Sequence, residues 1–555
     1  MNNTVKVTMN DKDLTVVYGT KISELFGRVP HSGPLSPLGA VVNRRLTGLY
    51  HSLTSDSIVN TVDYSSKYGA DIYRRSANIL LYAVVGELYP NANVVVSQSI
   101  GGGYFFTIEG ETVTSKVVER IEKRMEEYVQ MDVPFMVERV FVDEAVHYFS
   151  SLGDKSKAKV HFLTQMPRSE VTIVTLLNFR DLVHGPVALS SSALKNFQLV
   201  KYHQGLLMSF PDRHGEKQKP PDEKTHNQLF EIFMETRRWN ELMGVATISG
   251  LNDTCIRGTV SDLIKVSEAL HEKKIAEIAD KIANSKVMPK LILVAGPSAS
   301  GKTTFSKRLT IQLRVNGITP KTISLDNYYI DRDKTPKHPD GSYDFESIYA
   351  LDLPLLNEHL AAIITGARIE MPAFSFETGK RKKGKSIPIQ LEEKEVLIIE
   401  GIHALNDMLH EKVANEIKFK VFVSALTQLS IDEHNRVFTS DTRLLRRMVR
   451  DRLYRGYNAA QTLNGWLSVR GGEDNYIFPF QNNADVFFNS ALVYEHAVLT
   501  PYAKRFLMEV SQEDDAYTEA VRLYQFIDHF IPIMAEEVPP TSVLREFIGG
   551  STFRY

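Results

Sequence analysis

The chain has 555 residues, and 65 lysines and arginines stand against 67 aspartates and glutamates, which gives a net charge of -2. This length exceeds what one hydrophobic core supports, so we expect about three domains. The balanced charge argues against a generally basic nucleic-acid binder. The single cysteine, Cys255, excludes an intrachain disulfide and a cysteine-rich zinc site. No apolar run is long enough to span a membrane. We therefore expect a soluble protein of the reducing cytoplasm.

The first 62 residues have a β-rich pattern. Residues 4–9 and 13–18 alternate between apolar and polar side chains and predict a hairpin with its turn at Asn10 and Asp11. A further strand-like run starts at Gly39. This block predicts a small separate domain over residues 1–62.

Helical spacing begins near Ile72 and marks a second domain over residues 63–240. Two amphipathic helices are predicted, with strand-like segments between them. Their apolar faces are formed by Ala77, Leu80, Val84 and Leu88, and by Val118, Ile121, Met125 and Val129. Residues 241–285 predict a helical connector rich in lysine and glutamate. Residues 286–555 form the third predicted domain, which opens with an apolar run typical of a buried strand at 291–295.

That run leads directly into GPSASGKT at residues 296–303, which is the GxxxxGK[ST] pattern followed by a helical pattern. Backbone N–H groups of such a loop surround phosphate oxygens, and the helix dipole favours their negative charge. Lys302 is expected to reach the β- and γ-phosphates, and Thr303 to offer its hydroxyl to Mg²⁺. The predicted nucleotide-binding residues are Gly296, Ser298, Ala299, Ser300, Gly301, Lys302, Thr303 and Thr304.

Two further strand-like runs in this domain end in carboxylates. Asp326 follows the run 322–325, and Glu400 follows the run 396–399. In a parallel sheet such ends face the ligand crevice. Asp326 is suited to accept a proton from an acceptor hydroxyl, although a turn-capping role is the alternative. Glu400 corresponds to the acidic position that holds Mg²⁺ in P-loop enzymes.

A basic helix is predicted around residues 441–451. Arg443, Arg446 and Arg450 have the spacing i, i+3, i+7 and share one helical face. Such a face can clamp transferring phosphates, while a solvated amphipathic helix is the alternative.

Several motifs occur together and in a fixed order. They are GPSASGKTT, SLDNYY, YDFE at 343–346, MPAFSF at 371–376, IIEGIHALN at 398–406 and DTRLLRRMVRD at 441–451. Over about residues 270–510 the chain resembles the uridine kinase and phosphoribulokinase group of P-loop kinases. The resemblance implies ATP and Mg²⁺ as cofactors, with Lys302 and Asp326 catalytic. It also implies Mg²⁺ contacts from Thr303, Glu400 and Asp326.

The same resemblance also implies residues of the closing lid and of the acceptor site. It implies that Arg446 and Arg450 of the lid bind ATP. Its acceptor residues are Arg443, Glu346 for the ribose hydroxyls, and Phe374, Phe376 and Arg381 at the pyrimidine pocket. Phe374 and Gly379 stand where the family has tyrosine and histidine, so two polar contacts to a pyrimidine are missing, and with them discrimination. A nucleoside such as uridine or cytidine, phosphorylated at its 5′-hydroxyl, is the preferred acceptor. A sugar phosphate or pantothenate-like acceptor and an RNA-associated nucleotide switch stay open.

The N-terminal half carries a second resemblance. Residues 1–62 resemble a TGS domain, and residues 63 to about 210 resemble the editing domain of threonyl-tRNA synthetases through RRSANILLYAVVGELYP, SIGGGYFF and DLVHGP. Arg74, Asn78, Val183 and Val187 align with the two histidines of HxxxH, the cysteine and the last histidine of the editing motif. We therefore expect neither a metal site nor deacylation there. A regulatory or scaffolding role is favoured over RNA binding, and self-association is implied for the kinase.

The expected architecture is multidomain. It comprises a β-grasp domain, an α+β editing-like domain and an α/β P-loop kinase domain with a parallel sheet.

Overall fold

The computed structural model describes residues 4–9, 12–26, 33–338, 341–375 and 378–555. Its internal contacts divide the chain into two units. The first unit comprises Met1–Leu251, Gln428–Val437 and Ser511–Arg522. The second unit comprises Asn252–Thr427, Phe438–Val510 and Leu523–Tyr555. The three boundaries expected from the sequence, after residues 62, 240 and 285, stay predictions.

A mixed five-stranded sheet opens the first unit. Its strands are β1 (Thr4–Met9), β2 (Lys12–Val17), β3 (Gly39–Val42), β4 (Arg45–Gly48) and β5 (Ser57–Val62). They are ordered β2-β1-β5-β3-β4, with β1 and β5 parallel and the other pairs antiparallel. The predicted β1–β2 hairpin is confirmed, while its turn at Asn10 and Asp11 lies outside the described residues.

The rest of the first unit is α+β. Its elements are α1 (Lys67–Leu88), β6 (Asn93–Ile100), β7 (Gly103–Glu109), α2 (Ser115–Met131), β8 (Met136–Phe141), α3 (Val142–Ser151), α4 (Lys157–Thr164), β9 (Glu170–Leu176), β10 (Phe179–Leu182), β11 (Gln198–Tyr202), β12 (Gly205–Ser209) and α5 (Asn227–Leu242). The next helix, α6 (Ile248–Ile256), begins in this unit and ends in the second. Strands β8–β10 and β6, β7, β11 and β12 form two antiparallel sheets. Both predicted amphipathic helices are confirmed as α1 and α2.

The second unit is built around a parallel sheet. The following elements complete the chain: α7 (Val260–Ala283), β13 (Leu291–Ala295), α8 (Lys302–Val315), β14 (Thr319–Ser324), α9 (Leu353–Ile364), β15 (Ile369–Ser375), β16 (Lys380–Ile389), β17 (Glu395–Glu400), β18 (Lys418–Ser424), α10 (Thr439–Tyr454), α11 (Ala459–Tyr476), β19 (Val486–Asn489), α12 (Glu495–Met508), α13 (Tyr517–Ile527) and α14 (Arg545–Ile548). Five strands lie in the order β14-β17-β13-β18-β19, and every pair is parallel.

Apolar layers cover both faces of this sheet, as a parallel sheet requires. On one face, α7 and α8 pack through residues such as Ile275 and Phe305 against Val294. On the other face, α9 packs through residues such as Leu360 against Leu397. Among the described residues no helix is long and apolar enough to span a bilayer. The predicted multidomain fold with a parallel-sheet kinase domain is confirmed.

Candidate active site at the phosphate-binding loop

The predicted loop connects β13 to α8, and its glycines are required by its shape. Gly296 has φ +159°, and a Cβ there would lie 1.9 Å from the carbonyl oxygen of Val423. Gly301 has φ +83° and a Cβ there would lie 2.4 Å from Val543. Left-handed backbone is costly for residues with a Cβ. The loop therefore depends on glycine at both ends.

Strand register brings the predicted carboxylates to the same edge as this loop. Glu400 lies opposite Val294 of β13 and opposite Ser324 of β14 in the parallel ladders. Asp326 follows Ser324 by two residues in a short 3₁₀ turn. The carboxyl ends of parallel strands form the ligand crevice of such sheets. The two carboxylates predicted from strand ends therefore meet the loop at that crevice.

Lys302 is the first residue of α8, and its ammonium group folds back over the loop. Its Nζ donates to the carbonyl oxygen of Pro297 at 3.0 Å. Burial lowers the pKa of Lys302, and the nearby carboxylates of Glu400, Glu546 and Asp326 oppose this shift. The ammonium group of Lys302 is thus held over the loop, where it can interact with a bound phosphate.

Thr303 and Glu400 form an oxygen-only pair beside Lys302. The Thr303 hydroxyl donates to the Glu400 carboxylate at 3.4 Å. Burial raises the pKa of Glu400 to about 7, Asp326 acts in the same direction and Lys302 opposes it. The described residues contain no cluster of three or more histidine, cysteine, aspartate or glutamate side chains that could hold a metal ion. Mg²⁺ is usually bound by one or two carboxylates together with substrate phosphates, so this pair fits that ion.

Asp326 is an exposed residue at the carboxyl end of the sheet. Desolvation by the surrounding protein raises the pKa of Asp326, while Lys302, Arg455 and Arg450 lower it. A carboxylate whose pKa is raised is a better proton acceptor than an ordinary aspartate.

Ser298 of the loop is fixed by three charged side chains. Its N–H donates to Glu473 at 3.1 Å, its carbonyl oxygen accepts from Arg443 at 3.2 Å, and its hydroxyl accepts from Arg447 at 2.6 Å. Arg443 and Glu473 form a buried ion pair. Burial alone would raise the pKa of Glu473, but Arg443 and Arg470 outweigh it and lower that pKa. Arg443 therefore holds the loop in this structure.

Arg446 lies beneath the loop rather than on an open face of α10. It is fully buried and donates to Glu495 through Nε at 2.6 Å, to the Ser490 carbonyl at 2.9 Å and to the Ala299 carbonyl at 3.4 Å. Arg443 and Arg446 are both buried and paired with carboxylates, so this part of α10 is not the solvated amphipathic face that the sequence left as the alternative. An ATP contact by Arg446 stays a prediction.

Arg450 adds positive charge at the crevice, and so do Arg447 and Arg455, which the arginine spacing does not predict. Arg450 donates to Asp451 at 2.8 Å and acts on the pKa values of Lys302 and Asp326. Arg447 and Arg455 were not predicted, although both stand in or next to the basic motif. Their spacing places them off the i, i+3, i+7 series, so only packing shows that they also reach the crevice.

The predicted acceptor residues lie on several elements of the second unit. Burial raises the pKa of Glu346 to about 7, and Arg447 opposes this shift. The Phe374 ring lies 5.7 Å from the Tyr329 ring. Arg381 donates to the Tyr329 carbonyl at 3.2 Å and to Asp352 at 2.9 Å. Phe376 lies outside the described residues.

The backbone conformation of Gly379 explains why glycine stands where the family has histidine. Its φ is +66°, and a Cβ there would lie 2.6 Å from Nε of Arg332. A larger residue is therefore strained at this position.

The residues aligned with the synthetase editing motif lie in the first unit. The Arg74 guanidinium lies 5.7 Å from the centre of the Phe210 ring, and Val183 and Val187 are buried apolar side chains. His184 stands beside them at 3.9 Å from the carboxylate of Asp432. The expected lack of deacylation stays a prediction.

A glycine loop between a parallel strand and a helix, with a lysine and strand-end carboxylates at the crevice, defines a P-loop nucleotide-binding protein. Residues 291–495 match the model of the Phosphoribulokinase / Uridine kinase family. The chain is 31% identical over 201 residues to a uridine kinase from Deinococcus deserti. The matched region covers 36% of this chain and 87% of that protein. The chain belongs to the phosphoribulokinase and uridine kinase family.

The N-terminal region is similar to threonine–tRNA ligases. It is 30% identical over 196 residues to that of Wolbachia sp. subsp. Brugia malayi and 34% identical over 166 residues to that of Burkholderia lata. These matches cover 34% and 30% of this chain but only 31% and 26% of the ligases. Among solved structures, a possible uridine kinase from Bacillus stearothermophilus is similar over 39% of this chain and 98% of its own, with 19% identity and a TM-score of 0.28.

Proposed function

We propose that this protein is a small-molecule kinase that transfers the γ-phosphoryl group of ATP, with Mg²⁺, to a hydroxyl group. Its preferred acceptor is the 5′-hydroxyl of a nucleoside such as uridine or cytidine. The observation that carries the proposal is the meeting of Lys302, Asp326 and Glu400 at one sheet edge, where their charges act on one another's pKa.

In the proposed reaction the acceptor oxygen attacks the γ-phosphorus while its proton passes to Asp326. The bond from the γ-phosphorus to the oxygen that bridges it to the β-phosphate breaks, and ADP leaves with that electron pair. Asp326 fits the base because desolvation raises its pKa. Lys302 offsets the negative charge that develops on the transferring group and on the leaving oxygen.

Thr303 and Glu400 would hold Mg²⁺, with Asp326 nearby. When bound, the ion neutralises charge on the β- and γ-phosphates. Arg447 and Arg450 add positive charge at the same crevice, and Arg443 and Arg446 stabilise the loop from within the protein.

The nucleoside acceptor is supported by Glu346 and Phe374. Glu346 offers a carboxylate for ribose hydroxyls, and the Oε2 atom of Glu346 is buried without a hydrogen-bond partner. Phe374 offers an aromatic face for a base. The similarity to the uridine kinase of Deinococcus deserti also supports a nucleoside as the acceptor. A sugar phosphate or pantothenate-like acceptor is the second candidate, because Gly379 removes a polar contact. A cytoplasmic location and self-association stay predictions.

The test is ADP release by the purified full-length protein with ATP and Mg²⁺, against uridine, cytidine, sugar phosphates and pantothenate. Release with a nucleoside supports the proposal, and release with another compound reassigns the acceptor. Asp326→Asn should lower kcat by about 10²- to 10⁴-fold while ATP still binds. Turnover equal to the wild type in that variant would show that Asp326 is not the base. No ADP release with any of these acceptors would reject the proposed kinase activity.

A further inference from the structure

Ten residues between β18 and α10 are packed in the first unit, although the chain on both sides of them builds the second. Gln428–Val437 forms this segment. The main chain docks it from two directions: the Val96 N–H donates to the Glu433 carbonyl at 3.0 Å, and the Ile248 N–H donates to the Ser430 carbonyl at 2.8 Å. The Ser430 N–H donates in return to Ala246 at 3.1 Å.

A buried ion cluster closes over the segment. Lys159 is 1% exposed, and its Nζ lies 3.3 Å from Asp181, 3.8 Å from Asp432 and 3.6 Å from Glu433. Lys159 and Asp181 come from the α+β fold, while Asp432 and Glu433 come from the segment. Breaking a buried ion pair leaves an uncompensated charge in the protein. The cluster therefore ties the segment to α4 and β10.

His434 adds an aromatic anchor. Its ring stacks on Tyr82 with centroids 4.0 Å apart and an interplanar angle of 14°. The Tyr82 hydroxyl donates to the His434 carbonyl at 3.0 Å, and Nδ1 of His434 is within hydrogen-bond distance of Asp181. Arg436 follows, with its guanidinium 4.5 Å from the centre of the Tyr104 ring.

The docking position coincides with the altered editing motif. Asp181 precedes Val183 by two residues, His184 follows it directly, and Tyr82 lies one helical turn after Asn78 on α1. The residues that replace the motif's metal ligands are thus next to the residues that hold the segment.

We propose that Met1–Leu251 forms a docking module whose ligand is this chain's own segment Gln428–Val437. Helix α10 begins two residues after the segment, at Thr439, and carries Arg443 and Arg447 to Ser298. Docking steadies the start of that helix and hence the loop. This assigns the N-terminal half a role that the kinase reaction itself does not require.

The test is amide hydrogen exchange on the full-length protein, which needs no substrate. His434→Ala removes the stacking and the bond to Asp181, and Glu433→Gln removes one charge but keeps an oxygen acceptor for the Ala158 N–H. His147→Ala, on an exposed position of α3, is the control. We expect the Val96 amide to exchange at least tenfold faster in His434→Ala, with a smaller rise in Glu433→Gln and none in the control. Peptides covering 438–447 should also exchange faster.

Unchanged exchange at Val96 and Ala158 in both segment variants would overturn the docking site. Faster exchange there without any change over 438–447 would overturn the link to α10. Because neither readout involves ATP or an acceptor, a failure of the proposed kinase reaction would leave both results interpretable. Glu433→Gln keeps the test valid if His434→Ala fails to fold.

A separate observation concerns the C-terminal residues and rests on the proposed function. The Glu546 carboxylate accepts from the Thr304 N–H at 3.2 Å and from the Thr304 hydroxyl at 2.7 Å. The Tyr555 hydroxyl lies 2.8 Å from the same Thr304 hydroxyl. Thr304 is in the first turn of α8, whose N–H groups face phosphate in a P-loop. The Glu546 carboxylate therefore accepts from the Thr304 N–H, which a phosphate of the bound nucleotide would otherwise use.

We infer that Glu546 is an autoinhibitory anion, which competes with an ATP phosphate for Thr304 and Lys302. Its charge also acts on the pKa of Lys302 and of Glu400. ATP entry then requires Glu546 to move away from α8.

Calorimetric titration of the full-length protein with ATP and Mg²⁺ tests this inference. Glu546→Gln should bind ATP at least threefold more tightly than the wild type, and the exposed Glu536→Gln should bind as the wild type does. Equal or weaker binding by Glu546→Gln would overturn the autoinhibition. No ATP binding by any of the three proteins would reject the proposed function together with this inference, whereas ATP binding without acceptor turnover would reject the kinase alone.

Discussion

The buried pair of Arg446 and Glu495 under the phosphate-binding loop gives the most quantitative prediction. Both side chains are 0% exposed. Arg446→Met keeps much of the volume but leaves the Glu495 carboxylate without its cation, and removes donors to Ser490 and Ala299. The loop then loses a support directly below it.

The expected cost follows from this burial. Removing one partner of a buried ion pair typically costs about 3–5 kcal/mol. For a unit of this size 1 kcal/mol shifts Tm by about 2–4 °C, so we expect a fall of about 6–20 °C. The control is Arg452→Met on the same helix, whose partner Glu509 is one-third exposed. Exposed pairs contribute about 0–1 kcal/mol.

Urea unfolding followed by tryptophan fluorescence measures the difference. The chain has two tryptophans, and Trp466 is buried in α11 of the second unit. A Trp239→Phe background makes Trp466 the single reporter. The double variant Arg446→Met/Glu495→Met should recover part of the loss, because no charge is then left unpaired. A cost for Arg446→Met no larger than that of Arg452→Met would refute the reasoning.

The pH dependence supplies a second check on the same variant. Burial raises the pKa of Glu495, and Arg446 opposes the shift. Without Arg446 the folded pKa of Glu495 rises further above its unfolded value, so the folded state binds more protons. Unfolding free energy then falls as pH rises. The deficit relative to the wild type should therefore be largest near pH 8 and shrink toward pH 5.

Three further predictions concern Lys302, Glu346 and Gly379. Lys302→Ala should lower kcat by about 10²- to 10³-fold in the ADP-release assay, and unaltered kinetics would exclude Lys302 from catalysis. Glu346 has a folded pKa of about 7 against 4.5, so its stability contribution is full below pH 4.5 and lost through pH 7. The unfolding free energy of the wild type minus that of Glu346→Gln should thus fall by about 1–2 kcal/mol from pH 5 to pH 8, and a flat difference would contradict the raised pKa. Gly379→Ala should cost about 1–2 kcal/mol in urea unfolding because of its positive φ, and a neutral result would mean that Arg332 and the backbone yield freely.

Local pattern and chain order were sufficient for the parallel sheet and its crevice. The loop 296–303 follows the buried strand β13, Asp326 lies two residues after β14, and Glu400 is the last residue of β17. Because the carboxyl ends of parallel strands share one edge, their order along the chain already places them together. The helices α1 and α2 were equally predictable, since their apolar spacing records the face that each one buries.

The partners of the charged side chains depended on tertiary packing. An arginine stripe on α10 is typical of a solvated face, because burying a charge is unfavourable unless a partner compensates it. The compensating carboxylates of Arg443 and Arg446 are 30 and 49 residues away in sequence. Glu546 lies 242 residues beyond Thr304, and Asp432 lies 273 residues beyond Lys159, by their numbers. Sequence spacing reports the neighbours within one element, whereas contacts over such separations exist only once the chain has folded.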